Sequence, residues 1–377
     1  MKFEEFISGE WRQQYQYKSF LPVTVNREWC WESPQINTLL EKASRTLAEL
    51  DSFTQIVPDV DLFIQMHITK EANKSSRIEG TQTEMDEAVL DIEQLAPEKH
   101  NDWVEVQNYI QAINEAIAEM EHLPLSNRLL KHTHEILMQG VRGEHKSPGE
   151  FHISQNWIGG SNLQDAAFIP PHQDSVADLM GDLELFWHNE QIDVPELIRI
   201  AISHYQFETI HPFLDGNGRI GRLLITLFLV DKGLLRKPSL YLSDFFERNR
   251  GSYYDALTRV RESNDLLHWV KFFLSAVIET AGSGKETFRA ILALRQEVDG
   301  IIFGYGKRAK NAQLLLKHLY RRPAIMANDA ASLLGVSHQA ASALLKKMLD
   351  DGLLVEFTGY KRNRVFVFER YLALFNQ

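Results

Sequence analysis

The sequence predicts a mainly α-helical protein with a β-hairpin in its middle and a small α+β module at its C-terminal end. Three observations predict this. Apolar residues recur at helical spacing over most of the chain. One stretch, 151–171, breaks that period with short apolar pieces around Gly159-Gly160-Ser161-Asn162, the pattern of a hairpin. From Gly304 onward there are 12 Lys+Arg and 5 Asp+Glu, a balance of +7; the whole chain is −11, so the rest carries −18. A basic end on an acidic body marks a separate module.

The helices follow in order. Ile36, Leu39, Leu40, Ala43, Leu47 and Leu50 give a helix over 36–52. A second spans 60–79 and stops at Gly80. Two more cover 103–121 and 126–139. After the hairpin, helices are expected at 173–189, 195–209, 218–232, 244–262 and 265–280, with a linking helix at 284–300. The C-terminal module reads as helices at 311–320, 326–334 and 338–351, then strands at 353–358 and 364–368. Ser337 is a good N-cap for the third of these helices.

Composition narrows the class. The 377 residues are 44% hydrophobic and 24% charged, which excludes a disordered chain and allows a large core. Cys30 is the single cysteine, so neither an intrachain disulfide nor a cysteine-rich zinc site can form. That suits a cytoplasmic protein. No apolar run approaches the roughly 18 residues of a membrane span, and Met1–Phe6 lacks the apolar core of a secretory leader, so no membrane role is expected. Net charge −11 speaks against the whole chain being a non-specific nucleic-acid binder.

Two apparent motifs fall away. Gly282-Ser283-Gly284-Lys285 lacks the Ser/Thr and the first Gly of a phosphate loop, and follows a helix. His132 with His134, and His204 with His211, lack the spacing of a zinc-protease helix. His132 and His134 read as ordinary, partly exposed histidines.

The chemistry lies in His211-Pro212-Phe213-Leu214-Asp215-Gly216-Asn217-Gly218-Arg219-Ile220-Gly221-Arg222, between two apolar helices. A glycine-rich loop opening onto a helix N-terminus offers free N–H groups and the positive end of the helix dipole to an anion. Gly216 and Gly218 let a phosphate approach the backbone. Arg219 and Arg222, three apart, present two guanidinium forks on one side of the first turn, suited to a polyphosphate. Asp215 supplies a hard oxygen for Mg²⁺. His211 is the group that can accept a proton near neutral pH.

This stretch resembles the Fic motif, His-Pro-Phe-x-Asp-Gly-Asn-Gly-Arg-x-x-Arg, at every defined position. The resemblance implies an enzyme that moves AMP from Mg-ATP to a Ser, Thr or Tyr hydroxyl of a target protein, itself included. His211 would then deprotonate the hydroxyl and Asp215 would hold Mg²⁺. Gly216, Asn217 and Gly218 would surround the α-phosphate, and Arg219 and Arg222 would meet the β- and γ-phosphates. Ile220 and Gly221 complete the nucleotide-binding run. Related Doc-like phosphotransferases carry Lys where this chain has Gly218, which favours AMP transfer.

Upstream, Ser75-Ser76-Arg77-Ile78-Glu79-Gly80 resembles the family's inhibitory helix, Ser/Thr-x-x-x-Glu-Gly/Asn. Ser75 and Glu79 share a helix face, and Glu79 would pair with Arg222 in the place of the γ-phosphate. The hairpin corresponds to the family's flap, with Ala166, Ala167, Phe168 and Ile169 as the strand edge that docks a target. Asn249-Arg250-Gly251-Ser252-Tyr253-Tyr254 resembles the adenine-pocket segment: Asn249 would bond the base and Tyr254 would stack on it.

The C-terminal elements resemble a winged helix, with 338–351 in the recognition position and 359–364 as the wing. The expected organisation is an N-terminal helical region over 1–100 with the inhibitory helix ending near Gly80, a Fic core over 101–281, a linker helix over 282–303 and a winged-helix domain over 304–377. Partners implied are a protein target, DNA through the winged helix, and a second copy of the chain. Two rivals stay open: the same site removing AMP with Glu79 orienting a water, and a DNA-binding regulator that only senses nucleotide.

Overall fold

The computed structural model describes residues 1–359 and 363–376. An N-terminal hairpin, β1 (Gly9–Gln13) and β2 (Lys18–Pro22), pairs antiparallel with Trp11 opposite Phe20. Then come α1 (Pro34–Ile56) and α2 (Val60–Ile78), the short α3 (Met85–Ala88), α4 (His100–Glu119) and α5 (Asn127–Leu137). After an irregular stretch follow α6 (Gln173–His188), α7 (Glu196–Ile210), α8 (Asn217–Asp231), α9 (Ser243–Arg248), α10 (Arg250–Ser263) and α11 (Leu266–Phe303). The C-terminal module holds α12 (Ala309–Arg321), β3 (Ala324–Met326), α13 (Ala327–Leu334), α14 (His338–Asp350), β4 (Val355–Glu356), β5 (Val365–Val367) and α15 (Glu369–Leu372). Its sheet order is β3-β5-β4, antiparallel throughout.

Helices α7 and α8 are buried on nearly every face, apolar and polar residues alike, as expected of central helices. They form an antiparallel-reading pair whose connection, 211–216, is the motif loop. Helix α2 is buried along most of its length, from Phe63 and Met66 to Ser75 and Ile78. Among the described residues no helix is long and apolar enough to cross a membrane.

Several local expectations are corrected. The stretch 151–171 is no regular hairpin: a lone antiparallel bridge joins Ile158 to Phe168. The expected helix over 244–262 breaks at Asn249 into α9 and α10. The helices expected at 265–280 and 284–300 are one helix, α11, of 38 residues, about 57 Å long at 1.5 Å per residue. Gly282 and Gly284 lie inside it; a side chain at Gly284 would press on Leu50 of α1, so the glycine permits close packing. The hairpin β1–β2 and strand β3 went unread, because each is short and lacks a two-residue Asn-Gly-type turn.

The basic module is not detached. Tyr320 and Tyr371 stack around Phe63 of α2, with ring centroids 5.0 and 6.3 Å away. Arg322 donates to Val89 O at 2.9 Å and pairs with Asp91 at 2.6 Å, just beyond the end of α3. Arg370 grips Glu297 of α11 through two bonds of 2.7 and 2.8 Å. Ser337 caps α14 by accepting from Ala340 N, as its sequence position suggests. Part of the expected wing, 360–362, lies outside the described residues.

Candidate active site

The loop begins with strain. His211, the residue after α7, sits in the left-handed region at φ 53° and ψ 57°, a conformation that costs a non-glycine residue free energy unless its surroundings enforce it. They do. Asn156 Nδ2 donates to His211 O at 2.8 Å and to Phe213 O at 2.9 Å. His152 N donates to Pro212 O at 2.9 Å. Asn217 closes the loop from the other side: Phe213 N donates to its Oδ1 and its Nδ2 donates to Phe213 O, both at 2.8 Å. The Asn217 side chain is therefore spent on the loop itself.

Gly216 supplies the left-handed turn into α8 at φ 74°, and a Cβ there would press on Met138 and His134. His134 is buried, not partly exposed as the sequence suggested. It stacks on Phe213 at 3.9 Å, accepts from Gly149 N at its Nδ1 (2.9 Å) and donates through Nε2 to Asp215 O (3.0 Å). His132 is the ordinary one, paired with Glu119 at 2.6 Å.

Asp215 points its Oδ2 at Lys146, 2.9 Å away, while Oδ1 accepts from Gly216 N at 2.8 Å. Burial pushes its pKa up, but Lys146, the Gly216 N–H and Arg219 together hold it below the usual range. It is a ready carboxylate. Among the described residues no cluster of three or more acidic, His or Cys ligands exists, so a metal here would draw its other oxygens from substrate and water. That fits Mg²⁺ held by one carboxylate plus phosphates.

The two arginines do not share a face. Arg222 is buried and turns towards α2: Nε donates to Ser75 Oγ at 2.9 Å, and Nη2 donates to Ser75 O at 3.0 Å and to Glu79 Oε1 at 2.6 Å. Glu79 keeps about a third of its side chain open, 32%. Burial raises its pKa, but Arg222, with Arg219 and His211 behind, holds it below the ordinary carboxylate value. A Cβ at Gly218 would meet its Oε1, so a side chain there would make the Glu79 carboxylate shift. Arg219 instead goes to Glu105 of α4 at 3.1 Å and to Met138 Sδ at 3.5 Å. The i, i+3 spacing missed this because the two side chains reach in opposite directions for buried partners.

Ile220 is fully buried in the core, and Gly221 faces the Glu208 carboxylate and Phe207. The residues that follow the glycines therefore pack into the core beside the loop. His204, one turn earlier in α7, donates through Nδ1 to Gly221 O at 2.8 Å and meets Tyr253 Oη at 2.9 Å through Nε2. With both nitrogens used, it cannot be a metal ligand beside His211.

His211 is half-buried, and its Nδ1 is enclosed without a partner. Burial lowers its pKa to about 3; Arg261 and His152 push the same way and Glu79 opposes them. The imidazole is neutral at physiological pH and able to take a proton. Tyr254 is 40% exposed, in electrostatic reach of Glu79 and Arg222, with the Arg250 guanidinium 5.9 Å from its ring. Asn249 Nδ2 donates to Phe245 O at 2.9 Å at the junction of α9 and α10.

The expected docking edge is half occupied. Phe168 and Ile169 are buried against the N-terminal hairpin: Phe20 N donates to Ile169 O at 2.9 Å, and Phe168 packs on Phe20 and Trp11. Ala167 stays exposed and Ala166 half-exposed. Sequence reasoning missed Glu105, His134, Asn156 and Lys146. Each reaches the loop or the start of α8 from 55 or more residues away, and no local pattern marks them.

Comparison with known proteins agrees with this geometry. Residues 37–118 match the N-terminal region of the Fic/DOC family, and residues 124–229 match the Fic/DOC family itself. The chain thus carries a Fic N-terminal region and a Fic domain. Protein adenylyltransferase Fic of Drosophila erecta is 28% identical over 187 residues, 48% of this chain and 34% of the relative. That of Culex quinquefasciatus is 30% identical over 168 residues, 44% and 29%. A probable protein adenylyltransferase of Aquifex aeolicus is 40% identical over 98 residues, 26% and 28%. The chain thus spans about a third of the length of these relatives. A Fic family protein of Desulfovibrio desulfuricans has the same fold over 89% of this chain and 96% of its own, with a TM-score of 0.54 at 21% identity. Fic-1 of C. elegans aligns over 70% and 75%, with a TM-score of 0.52 at 19% identity.

Proposed function

We propose that this chain transfers AMP from Mg-ATP to a hydroxyl side chain of a target protein and is restrained by its own Glu79. The observation that carries the proposal is Arg222. A guanidinium on the second turn of α8, beside a base and a carboxylate, is already bound by a carboxylate from the preceding helical region. An oxygen anion belongs there, and Glu79 supplies one.

In the reaction, His211 takes the proton of the target hydroxyl as its oxygen bonds to the α-phosphorus. The bond from that phosphorus to the bridging oxygen of the β-phosphate breaks, and pyrophosphate leaves. The backbone N–H groups at the start of α8 stabilise charge on the α-phosphate. Arg222 turns from Glu79 to the terminal phosphates, and Arg219, held by Glu105, adds positive potential from below. Asp215, freed from Lys146, would hold Mg²⁺, which would neutralise charge on the leaving pyrophosphate. The exposed segment at Ala166–Ala167 offers a short edge for an extended target segment.

The curated relatives named adenylyltransferases support this reading, as does Gly218. One observation favours a second reading. The Glu79 carboxylate lies against Gly218 and in electrostatic reach of His211, where it would order a water that removes AMP from a modified protein. The C-terminal module adds a candidate DNA surface: His338, Ser342 and Lys346 of α14 face Arg364 across one groove.

The test is ATP labelled at either end, given to the Glu79→Gly variant with Mg²⁺. Protein labelled from the α-phosphate and not from the γ-phosphate supports AMP transfer. Label from the γ-phosphate would mean phosphate transfer. Release of AMP from a pre-modified protein by the wild type alone would favour the reverse reaction.

A further inference from the structure

Helix α10 ends on a guanidinium that reaches two other parts of the site. Arg261 Nη2 donates to Glu208 O at 2.9 Å, and its Nε donates to Thr209 Oγ1 at 3.2 Å. Both partners sit in the last turn of α7, just before His211. The carbonyls of a last turn have no donor within their own helix, so Arg261 supplies one. The same guanidinium lies over the ring of Phe168, 4.2 Å from its centroid. Phe168 belongs to the expected docking segment, next to the exposed Ala167. The backbone at the root of this arm is held too. Ser8 Oγ lies within hydrogen-bond reach of Arg261 O, at 3.2 Å, and Ser8 N donates at 2.8 Å to Oδ1 of Asn264, which closes α10 in the left-handed region.

His211 depends on such supports. Its backbone is in the left-handed region and its Nδ1 is enclosed without a partner, so the surrounding packing sets the direction of the ring. Asn156 holds the His211 carbonyl from one side of the docking segment. Arg261 holds the turn before His211 and touches the other side, at Phe168. A planar fork can bond a carbonyl and a hydroxyl with its edge while its face lies on a ring, which an ammonium cannot do. The groups that act on the His211 ring come from four elements. Burial lowers its pKa most; Arg261 of α10 and His152 before the docking segment act the same way, and Glu79 at the end of α2 and Glu208 O of α7 oppose them.

We propose that Arg261 is a positioning residue for the transfer: it fixes the imidazole of His211 against the edge that presents the target hydroxyl. It acts through Glu208 O, Thr209 and Phe168. A reacting group displaced by about 1 Å costs about 10²-fold in rate, so the effect falls on turnover and not on ATP binding. The consequence for rate rests on the adenylyl-transfer reading; the fixing of the ring does not.

Two variants are made in the Glu79→Gly background, Arg261→Gln and Arg261→Lys. Self-labelling from ATP labelled at the α-phosphate should fall about 10²-fold in Arg261→Gln, with ATP affinity by calorimetry unchanged. Loss of the cation raises the His211 pKa, and a base works as the neutral ring, so the acid limb of the rate should also move towards neutral pH. Arg261→Lys keeps the charge and loses the fork and its stacking; its rate should fall while its acid limb stays with the parent's. Labelling by Arg261→Gln equal to the parent's would overturn the proposal, and so would a loss of rate explained by lost ATP binding. The second measurement needs no activity. Carbethoxylation of histidines by diethyl pyrocarbonate is mapped by mass spectrometry in the wild-type chain and in the chain carrying Arg261→Gln alone. His211 should react faster in the variant, and the buried His134 should stay protected in both. Unchanged reactivity of His211 would overturn the fixing of the ring. Should His134 become reactive as well, the fold has failed, and Arg261→Lys decides by the same comparison. No label from the Glu79→Gly parent would instead sink the adenylyl-transfer reading, and the reactivity of His211 would still decide the proposal.

Discussion

At its C-terminal end helix α2 holds Arg222 through three hydrogen bonds that the guanidinium donates to Ser75 and Glu79. In its N-terminal half the same helix sets Phe63 against Tyr320 and Tyr371, and His67 against Phe288 and Phe375. One end is polar, charged and partly open; the other is aromatic and closed. The polar end is exchangeable, since a phosphate can take the place of a carboxylate on a guanidinium. The aromatic end is not, since water cannot replace packed rings. The helix is thus fastened at the module end and releasable at the site end.

Substitutions can break that comparison. The largest effect on chemistry belongs to His211→Ala, made in the Glu79→Gly background. Removing a general base costs about 10²–10⁴-fold, and labelling should vanish with no change in fold by circular dichroism. At the aromatic end Phe63→Ala should cost about 3–5 kcal/mol of stability, as large-to-small core changes do. Thermal unfolding reads that loss, and labelling should rise with it. A stability loss with unmoved labelling would show the two ends to be independent. At the polar end Glu79→Gly should raise labelling about 5–150-fold, the range of a coupling worth 1–3 kcal/mol, with Tm nearly unchanged. Ser75→Ala removes one of the three bonds and leaves the carboxylate, so its rise in labelling should be several-fold smaller than that of Glu79→Gly.

The smallest expected effect is that of pH. Burial holds His211 at about 3 against an ordinary 6.5, and Glu79 is the neighbour that raises it. A base works in its neutral form, so a lowered pKa moves the acid limb of the rate below pH 5. Removing Glu79 lowers it further. Labelling by Glu79→Gly should therefore stay flat from pH 8 to pH 5. A fall centred near 6.5 would show an ordinary, solvated histidine.

The sequence was most legible where function is written locally. The motif loop, Ser75 and Glu79 lie within short patterns, and the loop does fall between two buried helices with Arg222 reaching Glu79. Long amphipathic helices were legible too, because burial on one face leaves a period. What failed needed distant partners. Arg219 chose Glu105, and Phe168 and Ile169 chose the N-terminal hairpin, over 114 and about 150 residues of separation. The break at Asn249 and the continuity of α11 through two glycines failed for the opposite reason. Both are local, but packing against α1 outweighs the roughly 1 kcal/mol that a mid-helix glycine costs. The clamp of the C-terminal module on α2 joins Phe63 to Tyr320 and Tyr371, and no one-dimensional period encodes it.

The central claim is that Glu79 restrains an AMP transfer that depends on His211. Purified Glu79→Gly and Glu79→Gly/His211→Ala variants are incubated side by side with Mg²⁺ and ATP labelled at the α-phosphate. The account predicts label on protein in the first and none in the second. Equal label in both, or none in either with ATP still bound, would contradict it.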